Sequence, residues 1–227
     1  LISDMKQNEL YVPGISPKHR IGTIYCIGRN YARHAAELGN ETPEEPVVFL
    51  KPASSVIFDG GSIMLPERSQ NVHHEVELVA AMGRKASLIA ASDALSYISG
   101  FAIGIDVTAR DIQAKAKVNG LPWSVAKGFD TFAPISTFVE ASGIPDIENI
   151  DLSLVVNGEL RQQGNTADMI FSVAALIEYL SSIFTLYPGD LIFTGTPEDV
   201  APIKNGDTIS ATLGQDITSL HVQVQTK

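Results

Sequence analysis

Short apolar runs separated by turn signals dominate the pattern of hydrophobic and polar positions. The runs lie at residues 22–28, 46–51, 74–83, 101–107, 134–140, 151–157, 189–195, 207–213 and 219–225. Runs of this length bounded by Gly, Asn and Asp predict β-strands. The stretch VVNGEL predicts a hairpin, because Asn157-Gly158 suits a type I′ turn.

Helical patterns are fewer. They lie at residues 30–38, 93–98, 107–118 and 172–184. The third opens with Thr108 three residues before Asp111, which resembles a capping box. The fourth is apolar on most faces and predicts a buried core helix capped by Ser172. The pattern as a whole predicts a β-rich α+β domain with a curled sheet or barrel-like core.

Composition and charge narrow the class of protein. The chain has 227 residues, 44% hydrophobic and 19% charged, which is typical of a globular protein. Its net charge of −10 argues against a nucleic-acid partner. No apolar run approaches the roughly 18–20 residues of a membrane span. Residues 1–20 are predicted to be a small N-terminal appendage of a domain formed by residues 21–227.

The single cysteine, Cys26, cannot form a disulfide within the chain. A reducing cytoplasmic location is therefore expected. The first residues show no charged segment followed by an apolar one, so no signal peptide is expected.

Two carboxylates lie on one face of a predicted strand. In HHEVEL, Glu75 and Glu77 are two residues apart, and on a strand such residues lie about 6.5–7 Å apart on the same side. Like charges at this spacing repel unless solvent or a cation lies between them. The pattern fits either a solvated edge strand or half of a divalent-metal site.

A third carboxylate, Asp106, ends an apolar run immediately before a helical pattern. An acid in such a run is costly to bury unless it is paired or bound to a cation. Asp106 is therefore either a helix N-cap or the third ligand of a metal site that keeps open positions for water and substrate.

A histidine and a carboxylate share one face of the first predicted helix. His34 and Glu37 are three residues apart, so they are expected to touch. A carboxylate beside an imidazole raises its basicity, which suits a general base for water. A surface ion pair is the alternative. Arg29 lies at the strand-to-helix turn and is either a pocket residue or a solvated arginine.

Two lysines and one turn complete the candidates. Lys51 ends a predicted strand and Lys127 follows an apolar stretch, and each either reaches solvent or binds a carboxylate. Gly195 and Thr196 end another strand, where a backbone N–H and a hydroxyl suit an anionic oxygen. An ordinary turn is the alternative for that motif, and Trp123 is interpreted as a core residue.

Several motifs occur together in an order that resembles the fumarylacetoacetate hydrolase family, in its small single-domain branch of acylpyruvate hydrolases and oxaloacetate decarboxylases. They are YCIGRNYARHAAEL, FLKPASS, HHEVEL, GIDVTARDIQ, GLPWSVAKGFD, VNGELRQQGNTADMIF and GDLIFTGTPEDVAPI. The resemblance implies a mixed β-sandwich roll with a few short helices, and a homodimer. It also implies Mg²⁺ or Mn²⁺ held by Glu75, Glu77 and Asp106.

The resemblance further implies roles for the remaining candidates. It implies that His34 and Glu37, on a mobile lid helix, activate water, and that Lys127 is a further catalytic residue. Positions that look like substrate contacts are Arg29, Lys51, Arg110, Gln113, Gly195 and Thr196.

The implied function is metal-dependent hydrolysis of a C–C bond in short 2,4-dioxo acids, the acylpyruvates, through an enolate that the metal stabilises. Oxaloacetate decarboxylation or tautomerisation is an expected second activity of the same site. One alternative is an isomerase or decarboxylase of a dicarboxylic 2-oxo acid in aromatic-acid degradation. An alternative of another class is a non-catalytic domain with a structural cation.

Overall fold

The structure is a computed structural model that describes residues 10–37 and 42–226, with the backbone alone for residues 35–37. The strands of this part are β1 (Ile24–Gly28), β2 (Val47–Lys51), β3 (Val56–Phe58), β4 (Ser62–Leu65), β5 (Val72–His73), β6 (Val76–Met82), β7 (Ile98–Ile105), β8 (Thr108–Ala109), β9 (Ala133–Ile135), β10 (Val139–Glu140), β11 (Asp151–Val156), β12 (Glu159–Asn165), β13 (Leu191–Phe193), β14 (Thr208–Leu213) and β15 (Thr218–Thr226). The α-helices are α1 (Ala32–Glu37), α2 (Ala91–Ala94), α3 (Arg110–Val118), α4 (Ser124–Lys127) and α5 (Val173–Ile183).

A large mixed sheet positions most of the site. Its order is β2-β1-β13-β6-β7-β9-β3. The short strand β10 pairs with β7 beside β9, on the edge of β7 that faces away from β6. β1 runs parallel to β13, with Ile24 opposite Leu191. β6 runs antiparallel to both of its neighbours, β13 and β7. Because β6 is a central strand, all seven of its residues are buried.

A second sheet packs against the first. Its order is β12-β11-β14-β15-β4, and the short strands β5 and β8 form a separate pair. β11 alternates between buried and partly exposed residues, and Leu152, Leu154 and Val156 are the buried ones. This alternation is expected of a sheet with one face on a core and the other toward solvent.

The main core lies between the two sheets. It includes Leu78 and Ile103 of the large sheet, Leu154 and Ala211 of the second, and Leu176 of α5. Two sheets that bury a shared apolar layer form a sandwich. The predicted fold class, a β-rich α+β sandwich with a few short helices, is confirmed.

A smaller apolar cluster covers the other face of the large sheet. Val79 and Phe193 contribute from the sheet, and Val12 and Ile15 contribute from the segment that precedes β1. The described residues of the predicted appendage therefore pack against the large sheet. The division into residues 1–20 and 21–227 stays a prediction.

Two predictions from short sequence motifs, a hairpin turn and a helix cap, can be compared with the structure. Asn157 and Gly158 both have positive φ, 52° and 84°, as a type I′ hairpin turn requires. Ser172 caps α5, since its hydroxyl accepts the Ala175 N–H at 3.3 Å. Both predictions are confirmed.

The predicted capping box at Thr108 is wrong. Helix α3 begins at Arg110 after Ala109, and no side chain caps it. The Thr108 hydroxyl instead donates to the Asp106 carbonyl at 3.0 Å. Among the described residues, no helix has the length and apolar character that crossing a bilayer requires.

Candidate active site

Three carboxylates meet at the ends of β6 and β7. Glu77 shares the β6 face of Val79, and Glu75 continues that face just before the strand begins. Asp106 directly follows β7, and its N–H donates to the Glu75 carbonyl at 2.8 Å. One oxygen from each of Glu75, Glu77 and Asp106 lies within 4.8 Å of the others, and all three residues are buried.

Two of the alternatives for these acids are excluded by this placement. The solvated edge strand is wrong, because β6 is central and Glu75 and Glu77 are only 4% and 1% exposed. The helix N-cap is also wrong, because Asp106 lies four positions before the start of α3 and its carboxylate pairs with lysines instead.

Cationic side chains from three elements surround the acids. Lys127, at the end of α4, lies 2.7 Å from a Glu75 oxygen and 2.5 Å from an Asp106 oxygen. Arg110, the first residue of α3, pairs with the other Glu75 oxygen. Lys51, at the end of β2, lies 2.7 Å from the second Asp106 oxygen. Burial of these charges is tolerated because each has an oppositely charged partner.

The neighbouring cations do not neutralise the three acids equally. Burial raises the pKa of Glu75, but Lys127, Arg110 and His34 together hold that pKa well below its ordinary value. Burial raises the pKa of Glu77 well above its ordinary value, and the charges of Asp106 and Glu75 raise it further. Among the described residues, Glu77 makes no ion pair with a lysine or arginine, and the Gly195 N–H donates to its Oε2 at 2.8 Å.

This donor set fits a hard divalent cation. Magnesium and manganese prefer carboxylate oxygens, and three are presented together at the edge of a cavity. A cation at this point would offset the unbalanced charge that raises the pKa of Glu77.

The cavity beside the acids collects most of the predicted substrate contacts. The described residues that line it include the three acids together with Arg29, His34, Arg110, Gln113, Lys127 and Thr196. Lys127 is 2% exposed, so the alternative that it reaches solvent is wrong. His34 is 4% exposed, so the alternative of a surface pair does not describe it. The Glu37 side chain lies outside the described residues.

Lys51 differs from its predicted role. It does not line this cavity, and its ammonium is occupied on every side. It donates to the carbonyls of Val107, Lys127 and Phe132 in addition to pairing with Asp106. An ammonium has three N–H donors, so none is left for a substrate. Lys51 holds Asp106 in place.

The loop after β13 is fixed by a glutamine that the sequence analysis missed. The Gln162 carbonyl accepts the Val76 N–H at 3.0 Å and pairs with His74 Nδ1 at 2.8 Å. Its amide donates to the Thr196 hydroxyl at 3.0 Å and to the carbonyls of Pro197 and Glu198 at 3.1 Å. Gln162 therefore joins the strand that carries the acids to the loop that carries Thr196.

A bulge explains why Gln162 points inward. Between Leu154 and Val155 the register of β11 with β12 shifts, so that Gln162 instead of Arg161 lies opposite the buried Leu154. A bulge redirects the side chains that follow it by one position. Nearby, a Cβ at residue 164 would lie 2.8 Å from Pro197, so the glycine at this position allows the loop to approach β12 closely.

The turn after β1 is fixed in a similar way. Arg29 has a positive φ of 60°, which is uncommon for a residue other than glycine. Asn30 is fully buried and donates to the carbonyls of Phe171 and Thr194 at 3.0 and 2.7 Å. A side chain at Gly195, whose φ is +100°, would meet Asn30 at 2.7 Å. The turn after β1 therefore packs directly against the loop after β13.

The wall of the cavity also contains residues to which the sequence analysis gave no role in the site. Phe49, Trp123 and Lys117 line it, and the rings of Phe49 and Trp123 lie 5.6 Å apart. The interpretation of Trp123 as a core residue is wrong. Lys117 follows Arg110 and Gln113 along one face of α3, and this spacing was the signal that could have found it.

Comparison with known proteins decides the family. The model of the fumarylacetoacetate (FAA) hydrolase C-terminal family matches residues 23–225, which is most of the chain. The chain belongs to the fumarylacetoacetate hydrolase family. The predicted resemblance is confirmed.

Individual members of the fumarylacetoacetate hydrolase family are similar over most of their length. The chain is 55% identical over 188 residues, 83% of this chain and 84% of the relative, to a protein of Arabidopsis thaliana named oxaloacetate tautomerase FAHD1, mitochondrial. It is 49% identical over 203 residues, 89% and 91% of the two chains, to a protein of Dictyostelium discoideum named oxaloacetate decarboxylase, mitochondrial.

A solved structure of the same family extends the comparison to the fold. Fumarylpyruvate hydrolase from Pseudomonas aeruginosa, in complex with Mn²⁺ and pyruvate, superposes with a TM-score of 0.91 at 36% identity. The superposition covers 99% of this chain and 100% of that one. These relatives are enzymes, and this member of the fumarylacetoacetate hydrolase family is an enzyme. The prediction of an enzyme is confirmed at that level, and the alternative of a non-catalytic domain is set aside.

Proposed function

We propose that this enzyme binds Mg²⁺ or Mn²⁺ and interconverts the enol and keto forms of oxaloacetate, with hydrolysis of acylpyruvates as a second activity. The observation that carries the proposal is the buried cluster of Glu75, Glu77 and Asp106 beside a cavity with cationic walls. The identity with the oxaloacetate tautomerase of A. thaliana supports placing tautomerisation first.

The three acids are proposed as the metal ligands. A divalent ion bound to them supplies a Lewis acid, which favours the enolate form of a 2-oxo acid. Hard oxygen ligands suit both Mg²⁺ and Mn²⁺. The Mn²⁺ in the fumarylpyruvate hydrolase structure supports including manganese.

The cations of the cavity orient an anionic substrate. Lys127 and Arg110 border the acids, so they are within reach of the oxygens of a substrate placed there. Charged donors of this kind form the stronger hydrogen bonds to carboxylates. The Gln113 side chain accepts from the Arg110 guanidinium at 2.7 Å, which fixes the direction of that guanidinium.

His34 is proposed to move the proton. Tautomerisation transfers one proton between the oxygen on C2 and the carbon C3, and it needs a base that later returns the proton as an acid. His34 lines the cavity and lies near enough to influence the pKa of Glu75. Glu37 is proposed as the carboxylate that orients this imidazole.

Acylpyruvate hydrolysis is the second candidate, and the likeness to fumarylpyruvate hydrolase favours it. In this reaction His34 takes a proton from water as the water oxygen bonds to C4. The bond between C3 and C4 then breaks, and C3 receives a proton. Both reactions use the same substrate end, with a carboxylate beside a ketone.

The test follows the ultraviolet absorbance of enol-oxaloacetate with Mg²⁺ and with EDTA, and measures pyruvate to detect decarboxylation. Acetylpyruvate is followed in parallel. We expect rapid metal-dependent loss of the enol signal, abolished in Glu75→Gln and retained in Glu148→Gln, which removes an exposed carboxylate. An uncatalysed rate for both substrates, or full activity in EDTA, contradicts the proposal.

Assembly and location remain proposals that rest on the family resemblance and composition. We propose a homodimer whose catalytic unit is formed by residues 21–227, acting in the cytoplasm on a small 2-oxo acid and not on nucleic acid. The net charge of −10 supports the last point. Light scattering coupled to gel filtration tests the dimer, and a monomer mass would contradict it.

A further inference from the structure

Helix α3 lines the cavity with three side chains at increasing distance from the acids. Arg110, Gln113 and Lys117 all contribute to the wall, and their spacing of three and four residues places them on one helical face. Arg110 is paired with Glu75. Seven residues of helix advance roughly 10 Å, so Lys117 lies well out along the wall from that ion pair.

Lys117 is held at the wall by an aromatic ring. Its ammonium lies 5.3 Å from the centre of the Trp123 ring, a distance typical of a cation–π contact. Trp123 in turn packs against Phe49. Although Lys117 is exposed overall, its charged end is therefore directed along the cavity wall and not freely into solvent.

The charges around Lys117 are mainly of its own sign. Burial lowers the pKa of Lys117, and Arg29 and then Arg110 lower it further. Glu75 opposes this effect, but Glu75 is already paired with Arg110 and Lys127. Within the described part of the chain, Lys117 makes no ion pair with a carboxylate.

Arg29 adds a second unsatisfied donor on the same cavity. Its Nε is buried and has no hydrogen-bond partner among the described residues. A buried guanidinium N–H without a partner is costly, and such groups in native structures call for an explanation. Its left-handed backbone conformation is of the strained kind that clusters at ligand sites.

We propose that Lys117 and Arg29, beside the Trp123 ring, form an outer anion subsite that binds the distal carboxylate of an extended dicarboxylic 2-oxo acid. Lys127 and Arg110 already pair with Glu75 and Asp106. Lys117 and Arg29 have no carboxylate partner among the described residues. The inference rests on the proposed function, because the oxo-acid end must bind at the acidic cluster for the distal end to reach Lys117.

Trp123 provides a direct readout of this subsite. It is the only tryptophan in the chain, so fluorescence excited selectively at tryptophan, and not at the six tyrosines, reports on the cavity wall. The probes are 2-oxoadipate and 2-oxohexanoate, which have the same length and differ in the distal carboxylate. Both lack the second ketone of an acylpyruvate, so binding is measured with Mg²⁺ present and without C–C hydrolysis.

We expect the protein to bind 2-oxoadipate about tenfold more tightly than 2-oxohexanoate, which corresponds to about 1.4 kcal/mol. Lys117→Gln should reduce this ratio to about two, because the remaining arginine is a weaker site alone. Lys115→Gln is the matched control, since it removes the same charge from the same helix at a position that does not line the cavity. It should keep the tenfold ratio.

The outcomes separate the two proposals. Equal affinities for the two acids in the unmodified protein, or a ratio that Lys117→Gln leaves unchanged, overturn the outer subsite while the inner site stands. Failure of both acids to bind with metal present contradicts the proposed function and the subsite together. In turnover, Lys117→Gln should lower the ratio of kcat/KM for fumarylpyruvate over acetylpyruvate by about fivefold.

Discussion

Replacing Gln162 by leucine tests whether one buried amide connects the acidic strand to the loop after β13. Leucine keeps the approximate volume of the side chain but makes no hydrogen bonds. The Val76 N–H and the Nδ1–H of His74 would then lose their acceptor in a fully buried place. The carbonyls of Pro197 and Glu198 would lose their donor.

The magnitude follows from the number of groups left without partners. A buried donor without an acceptor costs about 1–3 kcal/mol, so the two donors together cost about 3 kcal/mol or somewhat more. For a domain of this size, 1 kcal/mol lowers Tm by roughly 2–4 °C, so we expect a decrease of about 6–12 °C. The loop should also lose its fixed position, because Gly195 and Thr196 precede the two carbonyls that Gln162 holds.

Differential scanning calorimetry and the enol assay measure the two effects. The control is Gln163→Leu, the same substitution one residue further along β12, where the side chain is exposed. We expect the control to keep Tm within about 1–2 °C and to keep its activity, as surface changes usually do. If Gln162→Leu matches Gln163→Leu in both Tm and kcat, the connection proposed for Gln162 is refuted.

Four further predictions concern the acids and the residues beside them. Mn²⁺ should raise Tm more at pH 8 than at pH 6 in a thermal-shift assay, because the raised pKa of Glu77 makes a proton compete with the metal; equal shifts would contradict this. Without metal at pH 8, Glu77→Gln should raise Tm and abolish the Mn²⁺ shift. The sign follows because a raised folded-state pKa stabilises the fold at low pH and loses that contribution as pH rises; a lower Tm would be the opposite of the expectation. His34→Ala should lower kcat for acetylpyruvate by about 10²–10⁴ and keep the Mn²⁺ shift, and unchanged turnover would remove His34 from the mechanism. Gly195→Ala should lower Tm by about 5 °C. The positive φ of Gly195 and its close approach to Asn30 make a methyl group there cost about 1–3 kcal/mol. An unchanged Tm in calorimetry would show that the loop can accommodate the methyl group.

The acidic cluster could be predicted from the sequence, because the patterns that indicate it are local. Alternation in a strand places Glu75 and Glu77 on one face wherever the strand lies. An acid at the end of an apolar run, as at Asp106, is unusual enough to need a partner. Adjacent antiparallel pairing of β6 with β7 then brings the three acids together. The richness in strands was also predictable, because alternation and turns are local signals. The sandwich arrangement came only from the family resemblance, since the residue pattern by itself suggested a curled sheet or barrel-like core.

The supports of the cluster were not predictable, because they depend on contacts between distant segments. Lys51 holds Asp106 through carbonyls that belong to three separate stretches of chain, and no spacing in the sequence reports them. Gln162 lies inside because of a bulge, and the polar run of β12 gave no strand signal. Lys117 was missed for a different reason. Its helical spacing from Arg110 and Gln113 was visible in the sequence, but it was not used to extend that face by one more turn.

The parallel pairing of β1 with β13 has a consequence for the order in which the site comes into being. Asn30 donates to the carbonyl of Thr194, which lies 164 positions later in the chain. Chains emerge from the ribosome N-terminus first, so β1 is synthesised long before β13, the strand with which it pairs in parallel. The acids of β6 and β7 can meet earlier, but the N–H of Gly195 that contacts Glu77 arrives only near the end. A nascent chain shorter than this therefore lacks part of the final surroundings of Glu77. Because contacts between distant segments form slowly, we expect completion of the site to be one of the last events of folding.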